Sequence, residues 1–254
     1  AGPAGWRGGR PVAVIGPRIV ATGGAHVDRR GRVAGVYVPG ASNPGRMREE
    51  VGGAAFNALA TAVRRGASGA FAGLRGGDAA GAAVAAALEA AGIADLSGVH
   101  LDRPTPSYTA LLDADGELIA GLADMALYEA GFARHLARRG FRAAAAAADA
   151  LLIDANLPPP ALSLALEAAG TRPVYAVAVS PAKAVRLGPH LGRLAGVFMT
   201  LREARALAGA QADAAMPAEA CAGALAAAGL AAGIVTAGGA PLVVFTGAAC
   251  WRVT

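Results

Sequence analysis

The sequence is short of lysine, aromatics and cysteine. All but one of its 23 cations are arginine, the exception being Lys183. Aromatic residues make up 5% of the 254 positions, which argues against an all-β sandwich and against a stacking surface for single-stranded nucleic acid. The two cysteines, Cys221 and Cys250, lack CxxC spacing, so no metal or redox motif is present and a reduced, cytoplasmic setting is expected. Charge is sparse, at 16%. The net charge of +5 is scattered over short runs such as Arg29-Arg30-Gly31-Arg32, Arg64-Arg65 and Arg138-Arg139, so no nucleic-acid partner is expected. Ala1 to Arg10 has no apolar core and reads as a loose tail, not a signal peptide. Cys221 to Trp251 carries no charge, but Gly238-Gly239-Ala240-Pro241 would break a spanning helix, so no membrane partner is expected. A Gly-x-Gly-x-x-Gly after the first strand, a Walker A loop and a nucleophile elbow are all missing.

What is present is a chain 55% hydrophobic, enough for a sizeable core. Pro11–Gly16 and Arg18–Thr22 read as strand, ending at Gly23-Gly24. Val33–Val38 and Met47–Val51 read as strands of a small sheet around the turn-rich 39–45, and Ser107–Leu112 and Leu118–Leu122 as a hairpin about Asp113-Ala114-Asp115-Gly116. Helices are expected over Ala54–Arg65, Ala79–Ala91 (capped by Asp78), Phe132–Ala148, Pro160–Ala169, Val185–Leu194, Arg202–Ala208 and Pro217–Ala228. Strands over Ala150–Ile153, Val174–Val179, Gly196–Met199 and Gly233–Thr236 alternate with them. That alternation predicts an α/β fold: a mostly parallel sheet flanked by helices, with a small separate sheet attached. Residues 1–17 are assigned to a tail and first strand, and 18–254 to one domain.

Ligands in open α/β sheets bind beyond the carboxyl ends of the strands. After the first strand comes Gly23-Gly24-Ala25-His26-Val27-Asp28. A carboxylate there either holds a vicinal diol or caps a turn. Gly52-Gly53-Ala54-Ala55-Phe56-Asn57 either lets a ligand approach the backbone, with Asn57 facing back, or makes a tight strand-to-helix turn. Lys183 is either selected for function or a surface helix cation. His100, His135 and His190 lack ligand spacing and are expected on exposed turns or helices.

The run from Gly52 to Ala60 resembles the first signature of the ribokinase-like (PfkB) carbohydrate kinases. Other segments follow that family in order: Gly23-Gly24-Ala25-His26-Val27-Asp28, with His26 where Asn is usual; Leu74 to Gly81; Thr200-Leu201-Arg202-Glu203, with Thr200 for Asn; and Thr236-Ala237-Gly238-Gly239. Within the family, several segments resemble the pseudouridine kinases, among them Ser42-Asn43-Pro44-Gly45-Arg46, Thr105-Pro106-Ser107-Tyr108, Ala123-Asp124-Met125, Asp154-Ala155-Asn156 and Val179-Ser180-Pro181-Ala182-Lys183.

The resemblance implies transfer of the γ-phosphate of ATP, with Mg²⁺, to a primary hydroxyl of a sugar or nucleoside, pseudouridine above all. It implies substrate contacts from Asp28, Gly52, Gly53 and Asn57, and from Asn43, Asp124 and Asn156. Lys183, Thr200, Thr236 and Gly238 would serve the nucleotide, and Glu203 the nucleotide and the metal's water shell. It also implies a homodimer through lid segments 33–51 and 107–122. The family's second signature, Asp-Thr-x-Gly-Ala-Gly-Asp, supplies the base and the anion site. It has no counterpart in these 254 residues, which stop about where it should begin, so no catalytic residue is assigned. The alternatives are an inactive sugar- or nucleoside-binding relative and a kinase for another sugar.

Overall fold

The computed structural model describes residues 16–209 and 215–254. The strands are β1 (Arg18–Thr22), β2 (His26–Val33), β3 (Gly45–Gly52), β4 (Ser68–Ala72), β5 (Leu74–Gly76), β6 (Ile93–Asp95), β7 (Gly98–His100) and β8 (Ser107–Leu112). They continue as β9 (Leu118–Asp124), β10 (Ala150–Asp154), β11 (Val174–Val177), β12 (Gly196–Thr200), β13 (Ala232–Ala237), β14 (Ala240–Thr246) and β15 (Ala249–Val253). The helices are α1 (Ala54–Arg64), α2 (Ala79–Ala90), α3 (Ala126–Leu136), α4 (Arg139–Ala147), α5 (Pro159–Ala169), α6 (Pro181–Ala184), α7 (Leu201–Leu207) and α8 (Ala218–Ala227).

The main sheet runs β15-β14-β13-β12-β11-β10-β1-β4-β6. Every pairing from β6 to β13 is parallel, and β14 and β15 are antiparallel additions at one edge. Its central strands are unbroken apolar runs such as Leu151-Leu152-Ile153, because both faces are covered. Alternate residues separate into two cores: Val20, Leu151 and Ile153 join one, Ala21 and Leu152 the other. Helices α3, α4 and α5 contribute to the first core, while α1 and α2 contribute to the second. From β1 the chain moves out to β4 and β6, then returns to lay β10 on the opposite side of β1. The strand order therefore reverses between β1 and β10, the place where such sheets form a ligand crevice. The small sheet, β3-β2-β8-β9, rises from that point.

The α/β architecture matches the expectation, with local corrections. His26–Val33 is strand, so Asp28 stands in the small sheet and not in a loop. Val33–Val38 is not a strand: only Val33 belongs to β2, and the chain turns after it. The single helix expected over Phe132–Ala148 is two, α3 and α4, interrupted where Arg138 becomes extended (ψ 148°). Val185–Leu194 is not α-helical; Val185–Arg193 winds as a 3₁₀ segment, since Pro189 lacks the N–H that an α-helix requires. His135 is buried, not exposed, at 7% accessibility. Of Pro11–Gly16, all but Gly16 lies outside the described residues, and Gly16 is not strand.

Candidate active site

The crevice between β1 and β10 is built around Asp154, the last residue of β10, which is fully buried. Its Oδ2 accepts the N–H groups of Gly24 at 2.9 Å and Ala55 at 3.0 Å, and the side-chain amide of Asn156 at 3.1 Å. Its Oδ1 accepts the Asn156 N–H at 2.9 Å. One carboxylate thus ties together the loop after β1, the first turn of α1 and the loop after β10. Burial pushes this carboxyl above its ordinary range, and the hydrogen bonds from Gly24, Asn156 and Ala55 oppose that shift. Asn156 passes the connection on: its Oδ1 accepts from Lys183 Nζ at 2.5 Å. Burial lowers the pKa of Lys183, and the Asp154 charge counteracts part of that.

The paired glycines are required by contact. A Cβ on Gly53 would lie 2.2 Å from the Gly24 carbonyl oxygen, and the residue holds φ at +118°, which other residues rarely adopt. A Cβ on Gly52 would lie 2.2 Å from Asp28 Oδ2. Asp28 in turn has its Oδ1 3.3 Å from His26 Nε2. Asn57 lies on the exposed side of α1, one turn from Gly53, whose carbonyl accepts its N–H at 2.9 Å.

A second group lies at the carboxyl ends of β12 and β13. Thr200 and Thr236 are direct partners in the sheet and both are exposed. Thr200 caps α7 by accepting the Glu203 N–H, and Glu203 Oε2 returns the bond, accepting the Thr200 N–H at 2.7 Å. This reciprocal box fixes a carboxylate at the helix start. Gly238 makes the turn from β13 to β14 with φ +62°.

A sequence profile described as "pfkB family carbohydrate kinase" matches residues 17–254. The chain belongs to the PfkB family. A carbohydrate kinase from Agrobacterium tumefaciens is 43% identical, with a TM-score of 0.81 over 92% of this chain and 74% of that one. A ribokinase from Arabidopsis thaliana, solved with ribose and ATP, is 17% identical, with a TM-score of 0.75 over 94% of this chain and 78% of its own. An Anopheles gambiae adenosine kinase is 18% identical, with a TM-score of 0.76 over 92% of this chain and 85% of its own. Among curated proteins no match is found. The α/β architecture is therefore ribokinase-like, with the mostly parallel sheet flanked by helices and the small sheet beside it.

The fold brings Asp28, Gly52, Gly53, Asn156 and Lys183 to one crevice, and sets Thr200, Glu203, Thr236 and Gly238 two to three strands away along the same sheet end. Asn43 stands apart. Its side chain closes its own loop, accepting the Val38 N–H at 2.8 Å and donating to Val38 and Ala41 carbonyls. The far end of β3, Gly45, is about 23 Å along the strand from Gly52 at ~3.3 Å per residue, and Asn43 lies two residues beyond it. Asp124 ends β9, exposed and paired across the sheet with Ser107.

Two residues escaped the sequence reading. Asp154 was visible only as part of a motif; its signal is an acid closing a buried apolar strand. Tyr128 on α3 is fully buried, with its hydroxyl donating to the Ala25 carbonyl at 2.9 Å and accepting the Ala25 N–H at 3.0 Å. Burial raises its pKa well above the usual phenol, and the Asp154 charge adds to that. In sequence it lies ahead of the helix expected from Phe132, whereas α3 already begins at Ala126. No described helix is long and apolar enough to cross a membrane.

Proposed function

We propose that this PfkB-family chain binds a sugar or nucleoside at Asp28, Gly52, Gly53 and Asn57 and serves transfer of the ATP γ-phosphate to its primary hydroxyl, with pseudouridine the leading acceptor. The observation that carries the reading is the β1/β10 crevice, where a carboxylate, Asp28, stands against Gly52 at the root of the small sheet. A carboxylate accepts two hydrogen bonds from a vicinal diol.

In the reaction the acceptor oxygen bonds to the γ-phosphorus, the bond from that phosphorus to the ADP oxygen breaks, and the acceptor's proton passes to a base. Asp154 accepts four hydrogen bonds and Glu203 closes a helix cap, so neither is assigned as the base. The chain's own part is to hold and orient. Thr200, Thr236 and Gly238 form an exposed polar shelf suited to the nucleotide, and Lys183 supplies a cation between the two halves.

Mg²⁺ in such a reaction would be bound through the nucleotide's phosphates and one carboxylate's water shell. Glu203 fits that role with the oxygen not used in its cap. When bound, Mg²⁺ neutralises charge on the transferring phosphoryl group.

The small sheet supports a homodimer. On the face opposite Asp28, Met47 and Leu122 are 62% and 71% exposed. Sedimentation at micromolar concentration should give a dimer, and a monomer would contradict this surface assignment.

The deciding experiment is ATP-dependent phosphorylation by the full-length gene product across pseudouridine, ribose and ketoses. Turnover of pseudouridine with the highest kcat/KM is expected. Turnover of another sugar alone would reassign the substrate, and nucleoside binding without any turnover would leave a binding protein and sink the kinase reading.

A further inference from the structure

We infer that four arginines on the small sheet form a binding site for a pyrophosphate group, free or carried on an organic ester, outside the acceptor crevice. In sequence Arg30 and Arg32 are separated from Arg46 and Arg48 by the turn-rich stretch. The antiparallel pairing of β2 with β3 sets Arg30 directly opposite Arg48 and Arg32 directly opposite Arg46. Side chains alternate between the faces of a strand, so both pairs project from one face, the one opposite Met47. All four are exposed, and with Leu112 and Ala114 they line a hollow of about 530 Å³.

Like charges directly opposite each other destabilise a sheet. Here two such pairs follow one another on the same face, about 7 Å apart along the strands. Neutralisation from the protein is partial. Arg30 lies 3.2 Å from Glu50 Oε1, and Arg32 donates from Nε to the Ala114 carbonyl at 3.1 Å. Among the described residues, none gives the guanidinium of Arg46 or Arg48 a hydrogen bond or an ion pair. In the turn beside Ala114, Asp113 is engaged with the N–H groups of Asp115 and Glu117, and none of these acids is ion-paired to the arginines. Four guanidinium charges are thus set against one paired carboxylate.

A guanidinium stays charged at every physiological pH and presents a planar fork of N–H donors that fits two oxygens of a phosphoryl group. Two cross-strand pairs therefore suit two linked phosphoryl groups, and the long arginine stems let the four heads converge on them. A single phosphate or sulfate would leave one pair unneutralised. The cations are gathered round one hollow and not strung along a stripe, which favours a compact anion over a nucleic-acid backbone. Leu112 gives the hollow an apolar wall against which the organic part of an ester can rest. A pyrophosphate bound there ties β2 to β3 and replaces like-charge repulsion with charge-assisted hydrogen bonds.

The test is calorimetric titration of the full-length protein, free of nucleotide, with inorganic pyrophosphate at a constant ionic strength of about 0.15 M. Wild type should bind pyrophosphate about tenfold or more tighter than sulfate, and should melt at a higher temperature in its presence. Arg46→Gln/Arg48→Gln should weaken that binding about tenfold or more and lose the thermal shift. Without the ion this variant should melt no lower than wild type, since the two side chains have no protein partner to lose. Isopentenyl diphosphate separates the sources: tighter binding than the inorganic ion assigns the hollow to organic diphosphate esters, and equal or weaker binding assigns it to the free ion. Equal affinity for sulfate would reduce the effect to an adventitious ion only and overturn the inference. So would no binding by wild type, pyrophosphate binding that survives in the double variant, or tighter binding of a single-stranded oligonucleotide than of pyrophosphate. A double variant that melts well below wild type without the ion would show the arginines already satisfied by the fold, and would overturn it too.

Discussion

Replacing Asp154 by Asn gives the sharpest test of how the crevice is held. The carboxylate accepts four buried donors, three at Oδ2 and one at Oδ1. An amide offers one acceptor oxygen and adds a donor group, so it cannot satisfy that set in either orientation. With its oxygen at the Oδ2 position, only the Asn156 N–H is left facing a donor, and the reverse orientation strands three. The first is the cheaper, and one unsatisfied buried donor costs about 1–3 kcal/mol. Against this, Asp154 is a buried acid whose carboxyl is pushed up by desolvation, so deleting the charge recovers part of the loss. A net loss of about 2 kcal/mol lowers Tm by roughly 4–8 °C in a domain of this size.

Asp154→Ala strands all four donors and should fall further. Because the folded-state pKa lies above the unfolded one, the stabilisation from protonating Asp154 is present at acid pH and lost as pH rises above about 4. The gap between wild type and Asp154→Asn should therefore narrow from about pH 4 upward. Scanning calorimetry across that range measures both quantities, and titration with acceptor measures the site. An Asp154→Asn protein that melts with wild type at pH 7 and binds acceptor equally well would refute the clasp.

Gly53→Ala places a methyl group on the Gly24 carbonyl at a strained φ, a cost of about 1–3 kcal/mol or more that thermal melting would register. Asp78 accepts hydrogen bonds from Gly81 N, Thr105 N and Thr105 Oγ1, so Asp78→Ala should cost at least about 1 kcal/mol in denaturant melts. Burial alone would raise the Asp78 carboxyl, but the Thr105 and Gly81 hydrogen bonds outweigh it and hold it low; the stabilisation is complete above about pH 4 and disappears below that, and an Asp78→Asn variant should not show this acid-dependent loss. Burial lowers the pKa of Lys183, so its native state sheds a proton sooner than the unfolded chain, and stability should rise with pH below about 10; Lys183→Met should flatten that limb in alkaline melts.

The central strands were legible because burial on both faces leaves a continuous apolar run. β2 was not, because Arg29, Arg30 and Arg32 stand in a small sheet with no core behind them, so no alternation marks it as strand. Val33–Val38 has the β-branched composition of a strand, yet Val36 ends 90% exposed in a turn. Three-residue strands such as β5, β6 and β7 are too short for any periodicity to show. At the site, Asp28 and the glycine pair could be picked out from their sequence neighbourhood. The roles of Asp154 and Tyr128 depend on partners about 100 or more residues away, which spacing cannot reveal.

β2 enters the small sheet directly from the crevice, with Asp28 two residues from its root. Any tilt of that sheet therefore carries the Asp28 carboxylate with it, and on the proposed reading of Asp28 sheet orientation and acceptor affinity form one equilibrium. If only a fraction of molecules hold the sheet in the binding posture, measured affinity falls by that fraction. Substitutions far out on the small sheet, touching no ligand, would then alter acceptor binding in proportion to how they bias its tilt.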